Sequence, residues 1–223
     1  LMERFISKFG KERIGCILGD REFIGKKWLG WLDSENIDYI VRIKNNQLTT
    51  TTNGGETKVS RLFHDVGIHE HRDIKRKCQL GGLGVYLSGT KAHNGELLIV
   101  ASNSDTISKL IPVYGSRWEI ENLFQALKGR GFNFEDTHMT NPDKLAKLLA
   151  LLSIAFVWAH KVGEYKDAKI KEIVRKKHGR HQNTYFRYGL DMIVNAISKI
   201  GFSIKEFELC LKIFDKTTLE LKI

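Results

Sequence analysis

Four polar side chains recur at a spacing that chemistry can use. Tyr114 is followed by Arg117, Glu121 and Lys128, at offsets of 3, 7 and 14 residues. On one continuous α-helix, turning about 100° per residue, they fall within an arc of roughly 60°. One face then holds a phenol, a carboxylate and two cations, while Ile120, Leu123 and Leu127 lie roughly opposite, available for burial. A carboxylate can bind a divalent cation, and Arg and Lys beside it can grip phosphate oxygens. A solvated charged face with i,i+4 partners would give the same pattern, and Glu119 shows that acids on this segment are not rare.

Asp20 is the second chemical feature. It follows the apolar run 14–18 through Gly19, at the carboxyl end of an expected strand, where α/β sheets place ligands. The same residue would also serve as a plain N-cap for the segment starting at Phe23.

The elements that must position these groups are set by periodicity. Met2, Phe5, Ile6 and Phe9 have helical spacing, and Gly10 closes that segment. Residues 14–18 read as a buried strand, 23–35 as a helix through Phe23, Ile24, Leu29 and Leu32, and 39–43 as a second strand. Helix, strand, helix, strand predicts an α/β pattern with a parallel pair. Residues 45–57 are rich in Asn and Thr with a Gly pair, and predict a polar loop or exposed hairpin. Three β-like runs come next at 58–66, 84–88 and 97–101, with turns at Gly81-Gly82 and His93-Asn94-Gly95. Pro112 predicts a kink or break in the helical run 104–129. Asn141-Pro142-Asp143 is a helix start, with Asn as N-cap, Pro at the first position and Asp at the positive dipole end. That helix is expected to reach about His160. Leu190, Ile193, Val194 and Ile197 predict one more helix, stopped at Gly201.

Composition narrows the class. Hydrophobic residues make up 42% and charged residues 28%, which excludes a disordered or fibrous chain. The formal charge of +10 favours a polyanionic partner, nucleic acid before an anionic membrane. Cys16, Cys78 and Cys210 are widely spaced, an odd number with no CxxC, so a disulfide scaffold or zinc ribbon is not expected and a reducing cytoplasm is the natural setting. Residues 1–5 do not read as a signal peptide. The apolar stretch 148–159 is shorter than the roughly 20 residues of a membrane span and predicts a buried core helix.

The Tyr114, Arg117, Glu121, Lys128 spacing, with Trp118 beside it, resembles the signature of the DDE transposases of bacterial insertion sequences, in the branch named for its Tyr-Arg-Glu-Lys motif. The spacing does not depart from the signature. Gly19-Asp20-Arg21-Glu22-Phe23 resembles that family's block around its second catalytic Asp, and the helix entered by Asn141-Pro142-Asp143 is similar to the helix that comes after the signature in that family. The resemblance covers roughly residues 12–160. It implies an α/β, partial ribonuclease-H-like fold with a β-rich insertion and a helical C-terminal region. The corresponding divisions are 1–46 for a partial core with the second Asp, 47–103 for the insertion, 104–162 for the rest of the core with the glutamate helix, and 163–223 for a basic helical region. It implies two divalent ions, Mg²⁺ or Mn²⁺, in the complete enzyme, with Asp20 and Glu121 as catalytic metal ligands and in-line phosphoryl transfer on DNA. Tyr114, Arg117, Lys128 and Trp118 would contact DNA phosphates near the transposon ends. The implied partner is double-stranded DNA, with a homodimer on DNA or a missing N-terminal portion completing the assembly, and no membrane.

Two departures matter. Residues 1–19 contain no Asp, so the family's first catalytic Asp has no counterpart here. The chain therefore reads as a C-terminal portion whose own catalysis is incomplete. The alternative is a non-catalytic remnant that binds DNA or a transposase. A ribonuclease-H-like nuclease acting on other substrates is disfavoured by the motif spacing. Some members carry a Trp on the strand before the glutamate helix to stack a flipped base, but here that strand reads Leu97-Leu98-Ile99-Val100. His64, His69 and His71 with Asp65 and Asp73 read as a solvated loop rather than a metal cluster. Gly81-Gly82-Leu83-Gly84 lacks the Lys-Ser/Thr of a phosphate loop. Trp28, Trp31 and Trp158 read as core. Residues 161–181 carry eight Lys or Arg against three acids, either a DNA-backbone contact with salt-dependent affinity or a solvated basic loop.

Overall fold

Alternating apolar side chains organise the first of the two units into which the chain divides, Leu1–Trp118 and Glu119–Ile223. The computed structural model describes residues 1–50, 54–105, 109–129, 131–176 and 181–215.

In the first unit, helix α1 (Met2–Phe9) ends at Gly10, whose φ of 83° suits glycine. Strand β1 (Ile17–Gly19) is shorter and later than the run 14–18 suggested, because its parallel partner begins only at Tyr39, in register with Ile17. A 3-10 turn (Arg21–Phe23) and helix α2 (Lys26–Ser34) lead to β2 (Tyr39–Arg42), which pairs with β1 in parallel as expected. The polar segment forms an antiparallel hairpin of β3 (Leu48–Thr50) and β4 (Glu56–Lys58). The expected strand at 58–66 is instead a 3-10 helix, Val59–Phe63. The four-residue interval from Val59 to Phe63 puts both into one core, which a strand's period of two would also allow on one face but without room for Leu62 to pack there too.

Strands β5 (His71–Leu80), β6 (Leu83–Lys91) and β7 (Leu97–Ser102) complete a five-stranded sheet in the order β1-β2-β7-β6-β5. β5 was not foreseen. It is dense in charge, and His71 and Asp73 lie on it rather than in a loop. Gly81 and Gly82 join β5 to β6 with φ of 58° and 85°, the positive pair that a two-residue hairpin turn requires.

The sheet is covered on both faces. Tyr39 and Val41 of β2 and Ile99 and Ala101 of β7 join Leu29 and Leu32 of α2 and Phe63 in the larger core. Ile40 and Val100 point to the other face, where they meet Leu110 and Tyr114 of helix α3 (Leu110–Gly115). Asn103 pins the edge of this arrangement. Its Oδ1 accepts from the Tyr39 amide at 3.0 Å, and its Nδ2 donates to Asp33 at 2.9 Å and to the Ile37 carbonyl at 3.1 Å.

The second unit is helical. It contains α4 (Trp118–Leu127, whose first residue closes the first unit), a 3-10 turn (Phe134–Thr137), α5 (Pro142–Lys169), α6 (Tyr185–Ser198) and α7 (Lys205–Asp215). Asn141 caps α5 as expected, accepting from the Lys144 amide at 3.0 Å, but the helix runs to Lys169 rather than to His160. Thr184 caps α6, and α6 stops before Gly201 is reached. The expected basic segment is the end of α5 and the extended stretch after it; residues 177–180 lie outside the described residues. The core gathers Ala159 and Val162 of α5, Phe186, Ile193 and Ala196 of α6, and Cys210 and Ile213 of α7. Trp158 packs at its margin and donates to the Cys210 carbonyl at 2.8 Å. Trp28 and Trp31 likewise pack against the first unit's core.

The expected burial of residues 148–159 is not met. Leu149, Leu151, Ile154 and Val157 are exposed, at 43%, 64%, 54% and 47%. α5 is long and apolar enough to span a bilayer, with a mean hydropathy of 1.6 over its most apolar window, a property that core helices share. Its C-terminal half instead packs on α6, and hydropathy alone could not say which half finds a partner.

Gly163 and Gly189 let α5 and α6 cross closely. A Cβ on Gly189 would strike the Ala159 carbonyl and the Gly163 amide, and one on Gly163 would strike the Tyr185 carbonyl. Backbone cannot yield as a flexible side chain can. Gly189→Ala should therefore destabilise the second unit by about 2–3 kcal/mol. Gly201→Ala, where nothing lies within 4 Å, should be close to neutral. Urea unfolding monitored by circular dichroism measures both.

Candidate active site

Asp20 stands immediately after β1, at the carboxyl end of the parallel pair. Gly19 before it is closely packed: a Cβ there would sit 3.0 Å from Val41 Cγ1 and 3.2 Å from Phe23 Cβ, so a larger residue would need those side chains to shift. The Asp20 carboxylate accepts from the Arg21 amide at 2.7 Å and so caps the 3-10 turn. The capping role and a position at the strand end are thus both present. They are compatible, because one carboxylate has acceptor sites beyond the one the amide uses.

The four signature residues do not lie along one helix. Pro112 falls in the first turn of α3, where a missing N–H is tolerated, so no break occurs there. The break comes at Ser116 and Arg117, between α3 and α4. Gly115 and Ser116 are poor helix formers. The chain tightens there through bonds from the Ser116 amide to Val113 and from the Arg117 amide to Tyr114, at 3.1 and 3.0 Å. Lys128 comes just past the end of α4, so the single 60° stripe is replaced by two helices and two turns.

Tyr114 is also not on a polar face. It is buried, 6% exposed, against Ile40 and Val100. Burial pushes its phenol above the ordinary range; the Arg117 and Arg42 charges pull it down and the Asp20 charge pushes it up. Asp20, Arg42, Tyr114 and Arg117 therefore share one electrostatic neighbourhood within the first unit. The Arg117 guanidinium lies 5.8 Å from the Tyr114 ring centroid, a cation–π distance.

Arg42 was missed by sequence reasoning. It ends β2, and its guanidinium donates to Glu96 at 2.6 Å. Its place at the carboxyl end of a parallel strand was the available signal. Trp118, 56% exposed, opens α4.

Glu121 and Lys128 belong to the second unit. Glu121 is half-buried in the first turn of α4, where the helix dipole favours an acid. Lys128 is exposed and pairs with Glu135 at 3.2 Å. Among the described residues no cluster of three His, Cys, Asp or Glu side chains could hold a metal ion. His69 stacks on His93 at 5.7 Å, and Asp65 makes a bidentate pair with Arg72 at 2.6 and 2.8 Å.

The buried phenol generates a pH prediction. Folding favours the neutral form of Tyr114, so its contribution to stability is complete below the unfolded value of about 10. It is lost as pH rises toward the higher folded value. Tyr114→Phe removes that contribution, so ΔG of unfolding should fall less steeply between about pH 10 and 11 than in the parent chain. Denaturant titrations across that range measure the slope; equal slopes would contradict the burial of an ionisable phenol.

A five-stranded sheet with helices on both faces, ending in an aspartate beside an arginine pair and a buried tyrosine, is compatible with a ribonuclease-H-like catalytic domain. No curated protein matches the chain. The family model described as a transposase DDE domain matches residues 1–158, well over half of the chain. The chain belongs to the transposase DDE domain family, whose partner is DNA and whose members generally use divalent metal ions.

Proposed function

We propose that this chain is the C-terminal catalytic portion of a transposase of the Tyr-Arg-Glu-Lys branch, with a ribonuclease-H-like core, acting in DNA cleavage and strand transfer by phosphoryl transfer. The observation that carries this reading is the shared neighbourhood of Asp20, Arg42, Tyr114 and Arg117 at the ends of β1 and β2. A carboxylate, two guanidiniums and a phenol stand together at the sheet edge where α/β folds bind ligands.

Arg117 and Lys128 hold phosphate oxygens by charge-assisted hydrogen bonds, and Trp118 packs against the sugar or base beside them. The Tyr114 phenol remains protonated at neutral pH and acts as a donor. Asp20 and Glu121 supply two carboxylates to a divalent-ion site, Mg²⁺ or Mn²⁺. Two carboxylates do not complete a site of the three-carboxylate kind, so no chemical step is assigned to the ion in this chain. The third belongs to a strand outside residues 1–19.

The β1 edge suits such a strand. Among the described residues β1 has β2 on one side only, and an apolar cavity of about 390 Å³ adjoins it, lined by Ile17, Leu18, Phe23 and Trp28 among others. The strand would come from the preceding part of a longer transposase or from a second copy on DNA. A non-catalytic role, binding DNA or a complete transposase, is the second reading. It is favoured by the absence of Asp from residues 1–19.

Two measurements separate these. The chain alone should bind a duplex with a linear dependence of log affinity on log salt. Arg117→Ala and Lys128→Ala should each reduce the slope by about 1. With Mn²⁺ the chain alone should not nick DNA. Adding an N-terminal segment that supplies an Asp-bearing strand should produce nicking that Asp20→Ala and Glu121→Ala abolish. Nicking that survives both substitutions would remove the metal-ligand assignment; binding without nicking in the completed protein would favour the second reading.

A further inference from the structure

Glu96 is tied to the candidate site, yet the proposed chemistry gives it no role. Its carboxylate accepts from the Arg42 guanidinium at 2.6 Å, with side-chain exposures of 55% for Glu96 and 21% for Arg42. Ion pairs this open to solvent add little to stability. What this pair does fix is a direction.

Both residues belong to one face of the sheet. Strand alternation puts Arg42 with Ile40, on the face that Leu98, Val100 and Tyr114 also occupy. Arg42 stands opposite Val100 on the neighbouring strand. Continuing the alternation back from Leu98 brings Glu96 to the same face, where the turn between β6 and β7 enters β7. That turn is well tied. The Glu96 carbonyl accepts from the Ala92 amide at 2.9 Å, the Glu96 amide donates to Asn94 Oδ1 at 3.0 Å, and the Gly95 amide donates to the Ala92 carbonyl at 2.8 Å. Gly95 supplies the φ of 80° that so short a turn needs.

Arg42 is the opposite case, a long side chain with many rotamers to lose on being ordered. The carboxylate held by the turn therefore orders the guanidinium, not the reverse. A guanidinium has five N–H donors in a planar fork. Glu96 takes one hydrogen bond, from Nη2, and among the described residues the Arg42 side chain makes no other. Donors remain for a phosphate oxygen while the group is held. The Arg42 charge is felt at the Tyr114 phenol, so the held guanidinium lies within the electrostatic range of the candidate site.

We infer that Glu96 is a positioning residue: it holds the Arg42 guanidinium in the orientation that grips a DNA phosphate beside Tyr114 and Arg117. The inference rests on the DNA-processing role proposed above. Charge and position make opposite demands here. Removing an acid raises the net charge by one, which by charge alone tightens DNA binding; removing a positioning acid weakens it.

The test is fluorescence anisotropy of the full chain with a labelled duplex, repeated over a range of salt. Arg42→Ala should lower the slope of log affinity against log salt by about 1. Glu96→Ala should lower it equally and weaken binding about tenfold, and the double variant should be no worse than Arg42→Ala alone. Glu96→Gln keeps a carbonyl acceptor at the same reach and should restore most of the parent affinity and slope. Circular dichroism checks that the fold is kept; the backbone bonds of the turn do not need the Glu96 carboxylate. Glu96→Ala that binds as tightly as the parent chain, or more tightly, with its slope unchanged would overturn the positioning role. So would Glu96→Gln that is no better than Glu96→Ala. If Arg117→Ala still lowers the slope in either case, the DNA-processing role stands and the Glu96 assignment alone is lost. A parent chain that does not bind the duplex would overturn both.

Discussion

The contact between Tyr114 and the sheet face formed by Ile40 and Val100 governs the site. Neighbouring side chains on a strand must point to opposite faces. With Tyr39 and Val41 buried under α2, Ile40 is committed to the other side, as is Val100 between Ile99 and Ala101. That second apolar face needs a cover, and α3 supplies it through Leu110 and Tyr114. Covering the face brings the tyrosine into the electrostatic range of Asp20 and Arg42 at the strand ends. Packing thus sets the chemistry: a hydrophobic demand in the middle of the sheet delivers a phenol and the nearby Arg117 to its carboxyl edge.

The charges around the phenol are arranged to be tolerated. Arg42 is held by Glu96, and Asp20 by the Arg21 amide. Neither is left as an isolated charge beside the core, a condition that would cost several kcal/mol. The Asn103 carboxamide does comparable work with neutral groups. It satisfies the Tyr39 amide and the Ile37 carbonyl where β2 begins, and so fixes the end of the strand opposite to Arg42.

Much of this was legible in the residues. The parallel pair, the strand-end aspartate, the Asn141 cap and the hairpin at Gly81-Gly82 obey short-range rules of period, capping and turn geometry. The failures lie where distant partners decide. β5 was invisible because charged residues occupy both of its faces, Arg72-Asp73 and then Lys75-Arg76-Lys77, and leave no apolar alternation to mark it. The helix break was assigned to Pro112, which is harmless in a first turn, while Gly115 and Ser116, each a weak signal alone, interrupt the helix. Tyr114 was placed on a polar face because sequence spacing cannot tell a phenol that meets solvent from one that meets a sheet. The apolar residues of α5 were assigned to a core, yet only their C-terminal portion reaches one in the second unit. The Arg42 contribution depends on which strand end faces which, a property of topology and not of local sequence.

The two borders of the five-stranded sheet are unlike. Along β5 the outward positions include His71, Asp73, Lys75 and Lys77. The β3 hairpin also leans on it, with Thr50 bonded to the Gln79 amide and to Arg76. An incoming strand there would meet charged side chains and occupied groups. β1 presents three small or aliphatic residues and no charge. Growth of the sheet is therefore one-sided. A strand added to this sheet is therefore expected at β1, and not at β5, where Thr50 already occupies the Gln79 amide.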